Sequence, residues 1–94
     1  MAKSFTVDIV SPEGLVWSGD AAFVVARTPE GEIGIMADHE PVMAALVQGV
    51  VSVDGSDGGR TKIDVEGGFL QVLRNQVTLI TDRARIDDGS EASE

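Results

Sequence analysis

The chain has 94 residues, sixteen acidic and seven basic, for a formal net charge of −9, and it contains no cysteine. That length holds one domain with a modest core, and the missing thiols exclude disulfides, thiolate metal sites and thiol redox chemistry. The acidity opposes binding to a nucleic-acid backbone or an anionic lipid surface, and no apolar run approaches the roughly 20 residues that span a bilayer. Any membrane role therefore runs through a protein partner rather than direct insertion. The start, MAKSFTVDIV, has one lysine followed by strand-like alternation, so it reads as no secretory signal and the expected address is the cytoplasm.

Phe5, Val7 and Ile9 alternate with Thr6 and Asp8, the period of a strand with one buried face, and Ser11 to Gly14 turns the chain so that Leu15 to Trp17 pairs back. Trp17, the lone tryptophan, sits at a strand end and reads as a lid on the core. Ala22 to Thr28 is nearly continuous in apolar and β-branched residues, the pattern of a strand covered on both faces, and Pro29 with Gly31 closes it in a reverse turn. A short strand through Ile33 and Ile35 follows. The run PVMAAL at Pro41 to Leu46 predicts a helical turn in an irregular crossover before Val50 to Val53 returns to strand. DGSDGG at Asp54 to Gly59 predicts a hairpin tip with Thr61 to Val65 as its returning arm. Glu66 to Gly68 bends the chain again, and Phe69 to Leu73 and Val77 to Thr81 form a further hairpin around Arg74, Asn75 and Gln76. The acid-rich 87–94 stretch has nothing to bury and predicts a disordered tail behind a domain at 1–86. Turn signals at short, regular spacing with no sustained helical period predict an all-β fold, a β-sandwich or flattened barrel.

The richest local pattern is GEIGIMADHEP at Gly31 to Pro41, which joins a hairpin turn, a short apolar strand and a polar elbow carrying the only histidine. Glu30, Glu32, Asp38 and Glu40 are expected to set four carboxylates around His39, presenting charge on a docking rim. A metal or acid–base role for His39 is disfavoured because neighbours on an extended chain point in different directions, whereas a metal needs convergent ligands. Glu30 and Glu32 could mimic a glycosidase pair, but nothing else in so small a chain suggests an enclosing cleft. Neither GxxxxGK[ST] nor GxGxxG occurs, which removes the usual phosphate cradles. Arg83 and Arg85 break the acidic trend and read equally as an exposed strand end or as a partner contact.

Four motifs in fixed order carry a family resemblance: VDIVSPEGLVWSG near the start, GEIGI followed by HEP, QGVVSV, and EGGFLQVLRNQVTLITDRA. With them the chain resembles, over nearly its whole length, the amino-terminal β-sandwich domain of the epsilon subunit of bacterial F-type ATP synthase, called delta in mitochondria. The resemblance implies a flattened sandwich of about ten strands at the foot of the central stalk, bound to the gamma subunit and to the polar loops of the membrane c-ring. It implies a rotor element that couples proton transport to ATP synthesis at the cytoplasmic face of the cell membrane, with no catalysis and no cofactor of its own. Carried over by position, the ring-facing tip falls on Glu30, Gly31, Glu32, Ile33 and Gly34. The elbow that meets gamma and the ring falls on His39, with Val42 and Met43 beside it.

Two departures from the family pattern stand out. Ala37 and Asp38 occupy places where the family commonly has proline and glycine before the elbow histidine, which changes the turn and adds a charge. The family also usually continues into a helical hairpin that binds ATP or inhibits hydrolysis, so for a chain of this length the resemblance implies neither property. The alternative reading is a free-standing β-sandwich module for a small ligand or peptide.

Overall fold

A computed structural model describes residues 3–87 and consists of seven strands: β1 (Phe5–Ser11), β2 (Gly14–Thr28), β3 (Gly31–Ile35), β4 (Val42–Gly55), β5 (Arg60–Leu73), β6 (Gln76–Thr81) and β7 (Ala84–Asp87). The expected acidic tail lies, apart from the backbone of Asp87, outside the described residues. The strands form one sheet in the order β1-β6-β5-β4-β2-β3, with β7 added to β5 and a further β1–β2 pairing that curls the sheet into a flattened barrel. All neighbours are antiparallel except β1 and β6, which run parallel from Thr6↔Gln76 to Val10↔Ile80.

Three strands are much longer than the sequence predicts. β2, β4 and β5 span 15, 14 and 14 residues, and each changes partner along its length. β2 pairs first with β1 and then with β4 and β3, while β5 pairs with β7 through Lys62–Val65 and with β6 through Gly68–Leu73. The about ten short strands of the expectation are these seven, with the long ones read as two halves each.

The change of partner in β5 has a local cause. Ile63 and Val65 face the core before it, and Leu70 and Val72 after it, a five-residue interval that strict alternation forbids. The slip falls at Gly67 and Gly68, which hold φ of 111° and 125°, conformations closed to residues with a Cβ. A side chain at Gly68 would also sit 2.0 Å from the carbonyl oxygen of Ile80, so only glycine fits.

Two expectations fail here. Pro41 to Leu46 makes no helical turn: β4 runs extended from Val42, in register with β5 from Val42↔Val72 to Leu46↔Gly68. A ready antiparallel partner overrides the helix preference of two alanines and a methionine. β2 is also not covered on both faces, since Val24, Ala26 and Thr28 are buried while Phe23 and Val25 are half-buried and Arg27 is exposed.

The core is a single apolar cluster from all strands but β7, including Val7, Ile9, Val24, Ile35, Val53, Ile63, Leu70, Val72 and Leu79. Burial of each such side chain contributes about 1.5–3 kcal/mol against exposure, the main support available to a chain without disulfides. Trp17 packs on this cluster as the sequence predicts, its ring lying over Gly19, where an added Cβ would come within 2.9 Å of it. The Arg74–Asn75 turn between β5 and β6 has φ of 52° and 62° at its two central residues, the primed geometry that suits a tight hairpin.

Candidate functional site

The tip of the β2–β3 hairpin is built to hold its shape. Pro29 fixes a negative φ and so excludes the primed turns, and the compensating positive φ of 123° falls on Gly31. Thr28, only 8% exposed, staples the turn: its hydroxyl donates to the Gly31 carbonyl at 2.8 Å and accepts from the Glu30 amide at 3.2 Å. Glu30 is thereby held exposed on a fixed backbone, its Oε1 3.5 Å from the Thr28 hydroxyl. Glu32 follows on β3 opposite Arg27, whose guanidinium reaches its carboxylate at 3.4 Å, with both side chains more than half exposed. Such a pair is screened by solvent and leaves Glu32 available to another cation. Gly34 lies beneath the Phe23 ring, which an added Cβ would approach to 3.0 Å, while Ile33 packs on the core and Ile35 is fully buried in it.

β3 and the start of β4 form the walls of a groove of about 520 Å³, with Thr28, Pro29, Glu30, Glu32 and Ile33 on one side and Val42, Met43, Ala44 and Ala45 on the other. The structure therefore brings Glu30, Glu32 and Ile33 together with Val42 and Met43. His39 is not among them, and the expected ring of four carboxylates around the imidazole does not form. Glu30 and Glu32 belong to the turn end of β3, whereas His39 follows its other end across the Met36–His39 turn. An extended strand advances about 3.3 Å per residue, so β3 itself carries the two groups apart.

His39 instead closes that turn, its amide donating to the Met36 carbonyl at 3.2 Å. Its Nδ1 lies 2.8 Å from the Glu40 carbonyl oxygen, a contact in which the ring nitrogen is the donor and the carbonyl accepts. Asp38 takes the left-handed place with φ of 66°. Its carboxylate accepts from Lys3 Nζ at 2.5 Å and from Asn75 Nδ2 at 3.1 Å, while the Asn75 side-chain oxygen accepts from the Asp38 amide at 2.6 Å. The hydrogen bond and charge of Lys3, together with the Asn75 amide, hold the Asp38 carboxyl below its ordinary value. No group of three or more metal-ligating side chains occurs among the described residues.

The sequence reading missed a second surface. Ala45, Phe69, Ile80, Val10 and Leu15 stand opposite one another in successive register across β4, β5, β6, β1 and β2. Phe69, Ile80 and Leu15 in this row are 55%, 51% and 64% exposed, and Met43 and Leu73 extend it on one side, toward the end of β5. A contiguous apolar band on the outside of a small acidic protein marks a docking face. Its signal was present in FLQVL and VTLIT, where apolar residues occupy both faces of a strand. Through Met43 and Ala45 the band runs directly into the acidic groove.

Comparison with known proteins places this architecture. The family described as ATP synthase, Delta/Epsilon chain, beta-sandwich domain, matches residues 4–86. The chain is 49% identical over 80 residues to an ATP synthase epsilon chain of Corynebacterium efficiens, with 84% of this chain and 64% of the relative covered. It is 40% identical over 88 residues to that of Streptomyces coelicolor, with 94% and 71% covered. It thus spans less than two thirds of the length of the corynebacterial relative. Among solved structures, a chain of the Euglena gracilis mitochondrial ATP synthase OSCP/F1/c-ring assembly superposes with a TM-score of 0.84 at 23% identity, covering 96% of this chain and 59% of that one. A chain of the Tetrahymena thermophila mitochondrial ATP synthase central stalk and c-ring gives 0.72 at 14% identity, covering 89% and 67%. At these identities the two structures speak for the fold. The chain belongs to the ATP synthase delta/epsilon family, of which it is a β-sandwich domain.

Proposed function

We propose that the chain is a non-catalytic element of the central stalk of a proton-translocating F-type ATP synthase. It docks on the gamma subunit through the apolar band and on the polar loops of the membrane c-ring through the tip at Glu30, Gly31, Glu32, Ile33 and Gly34. Val42 and Met43 join the two contacts, and His39 lies at the elbow that flanks them. The chain turns with both partners and so couples proton transport to ATP synthesis. It does so as a peripheral part of a membrane-bound complex, on the cytoplasmic face of the cell membrane and without inserting into the bilayer.

The observation that carries this reading is the continuity of an apolar band with an acidic groove on one side of a flattened barrel. A linker under torque has to be stiff and has to hold two partners at once. Stiffness follows because bending the barrel breaks ladder hydrogen bonds and core packing together. The band supplies water-excluding area, and the carboxylates supply charge-assisted contacts to basic loops of about 1 kcal/mol or more each where desolvated.

Co-purification tests it. The chain is expected to form a stable complex with a gamma-like subunit, and Glu32→Lys is expected to weaken attachment to the ring about tenfold while leaving the melting temperature within about 2 °C of the parent. Unchanged ring attachment and unchanged proton-driven ATP synthesis in Glu32→Lys would remove the tip from the interface.

A further inference from the structure

β2 pairs with both β1 and β4, which closes the barrel at one end, but at the other end the barrel splits between β3 and the first half of β4. Among the described residues β3 pairs only with β2, and Val42 to Val51 pair only with β5. These two free edges face each other across the groove that holds Glu30 and Glu32, and the only covalent bridge over the seam is the elbow between Ile35 and Val42. Along a strand paired on one side, alternate peptide groups point to the other side. Val42 to Leu46 therefore offers an edge of about 16 Å whose backbone donors and acceptors have no strand partner.

We infer that this seam receives an extended, cationic segment of a partner protein, which adds to β4 as an extra strand. Main-chain hydrogen bonds to Val42–Leu46 supply the register. Half-buried Ile33, Val42 and Ala44 form the floor that accepts small apolar side chains at alternate positions, as strand addition requires. Charge fixes the sign of the occupant. Glu30 has no ion-pair partner among the described residues, Glu32 has only its exposed contact with Arg27, and the whole chain carries −9. A second copy would set the same carboxylates against one another, which disfavours pairing of this chain with itself. The inference deepens the stalk reading at the same groove and rests on it only for the owner of the segment.

The test uses the full chain, labelled with ¹⁵N, and the peptide acetyl-Lys-Val-Lys-Val-Lys-Val-amide. Saturable shifts at the β4 amides of Val42–Leu46 and at β3 are expected, with hydrogen exchange of the seam-facing amides slowed at least tenfold. N-methylation of the third and fourth peptide residues, one of whose amides must face β4, should weaken binding about tenfold by removing a main-chain donor, and the glutamate counterpart of the peptide should not bind. Equal binding of the N-methylated peptide would overturn the inference, because it would reduce the contact to charge pairing. Protection of β4 that rises with protein concentration alone would also overturn it, in favour of a second copy. The peptide contains nothing of a stalk or ring subunit, so the two readings separate. Strand addition without co-purification removes the stalk reading, and co-purification without strand addition removes the seam.

Discussion

The two outer faces of the flattened barrel are made by the same long strands and yet are chemically opposite. One face, from β4 across β5, β6 and β1 to β2, shows Phe69, Ile80, Leu15 and Met43. On the other, Glu32 stands opposite Arg27, Asp64 opposite Arg85, and Asp54 opposite Arg60. Of these pairs, Arg60 holds Asp54 at 2.6 Å and Arg27 reaches Glu32 at 3.4 Å. Exposed cross-strand charges of this kind add little to stability, but they keep a face in water. The contrast separates a row of exposed large apolar side chains, with Asp8 in the row beside it, from a face where paired charges dominate and whose Glu32 lies at the edge that meets the groove.

The sharpest way to break the contrast is at the slip that creates it. Gly67 and Gly68 let β5 turn Ile63 and Val65 inward in one half and Leu70 and Val72 inward in the other. Without them one half would face the wrong way, because a one-residue slip exchanges the faces of a strand. Gly68→Ala places a Cβ 2.0 Å from the Ile80 carbonyl oxygen at a φ of 125°. Its expected cost exceeds about 4 kcal/mol, equivalent to a fall in melting temperature of more than about 15 °C for a domain of this size. Thermal unfolding followed by circular dichroism reads this directly, and a shift below about 5 °C would show that the bend does not depend on the glycine.

The next effect separates the faces by binding rather than stability. Phe69→Ser removes the centre of the apolar row at a position already 55% exposed, so its stability cost should stay near or below about 1 kcal/mol. Its effect on the gamma-like partner should reach about 2 kcal/mol, roughly 30-fold in Kd, as for a central aromatic anchor. Asp64→Lys on the charged face should leave that Kd within about twofold. Isothermal titration of the two variants against the partner decides the matter, and a larger loss from Asp64→Lys would reverse the assignment of the faces.

Much of this organisation was legible in the chain itself. Alternation in FTVDI placed one face of β1, the Asp–Gly cluster at Asp54 to Gly59 placed the β4–β5 hairpin, and the four family motifs pointed to the sandwich; Glu30, Glu32, Val42 and Met43, carried over by position, line one groove, and their role there is the proposal. Other parts were illegible for physical reasons. PVMAAL has the local preference of a helix, and only its pairing with the distant strand at Gly68 to Val72 makes it extended. The crowding of carboxylates near His39 in sequence suggested a cluster, but the extension of β3 pulls it apart. The open seam between β3 and β4 is a property of which strands do not pair, a non-local fact that no window of sequence contains. The apolar band was hidden because FLQVL and VTLIT read as core strands whichever face is covered.

The smallest effect tests the elbow that spans the seam. Asp38 holds a left-handed turn, and its carboxyl is kept below the ordinary value of 3.8 by Lys3 and Asn75. A group depressed in the folded state stabilises it above the unfolded value and loses that contribution as pH falls through the folded one. Asparagine tolerates the same backbone conformation, so Asp38→Asn removes the charge and spares the turn. The variant should melt slightly below the parent at pH 7, and the difference should begin to shrink below about pH 4 and vanish in stronger acid. Because the contacts are exposed, molar salt should shrink it at neutral pH as well. A difference that persisted unchanged from pH 7 to pH 2 would place the role of Asp38 in its hydrogen bonds to Asn75 rather than in its charge. The elbow would then be a neutral clasp, and the acidic character of the seam would rest on Glu30 and Glu32 alone.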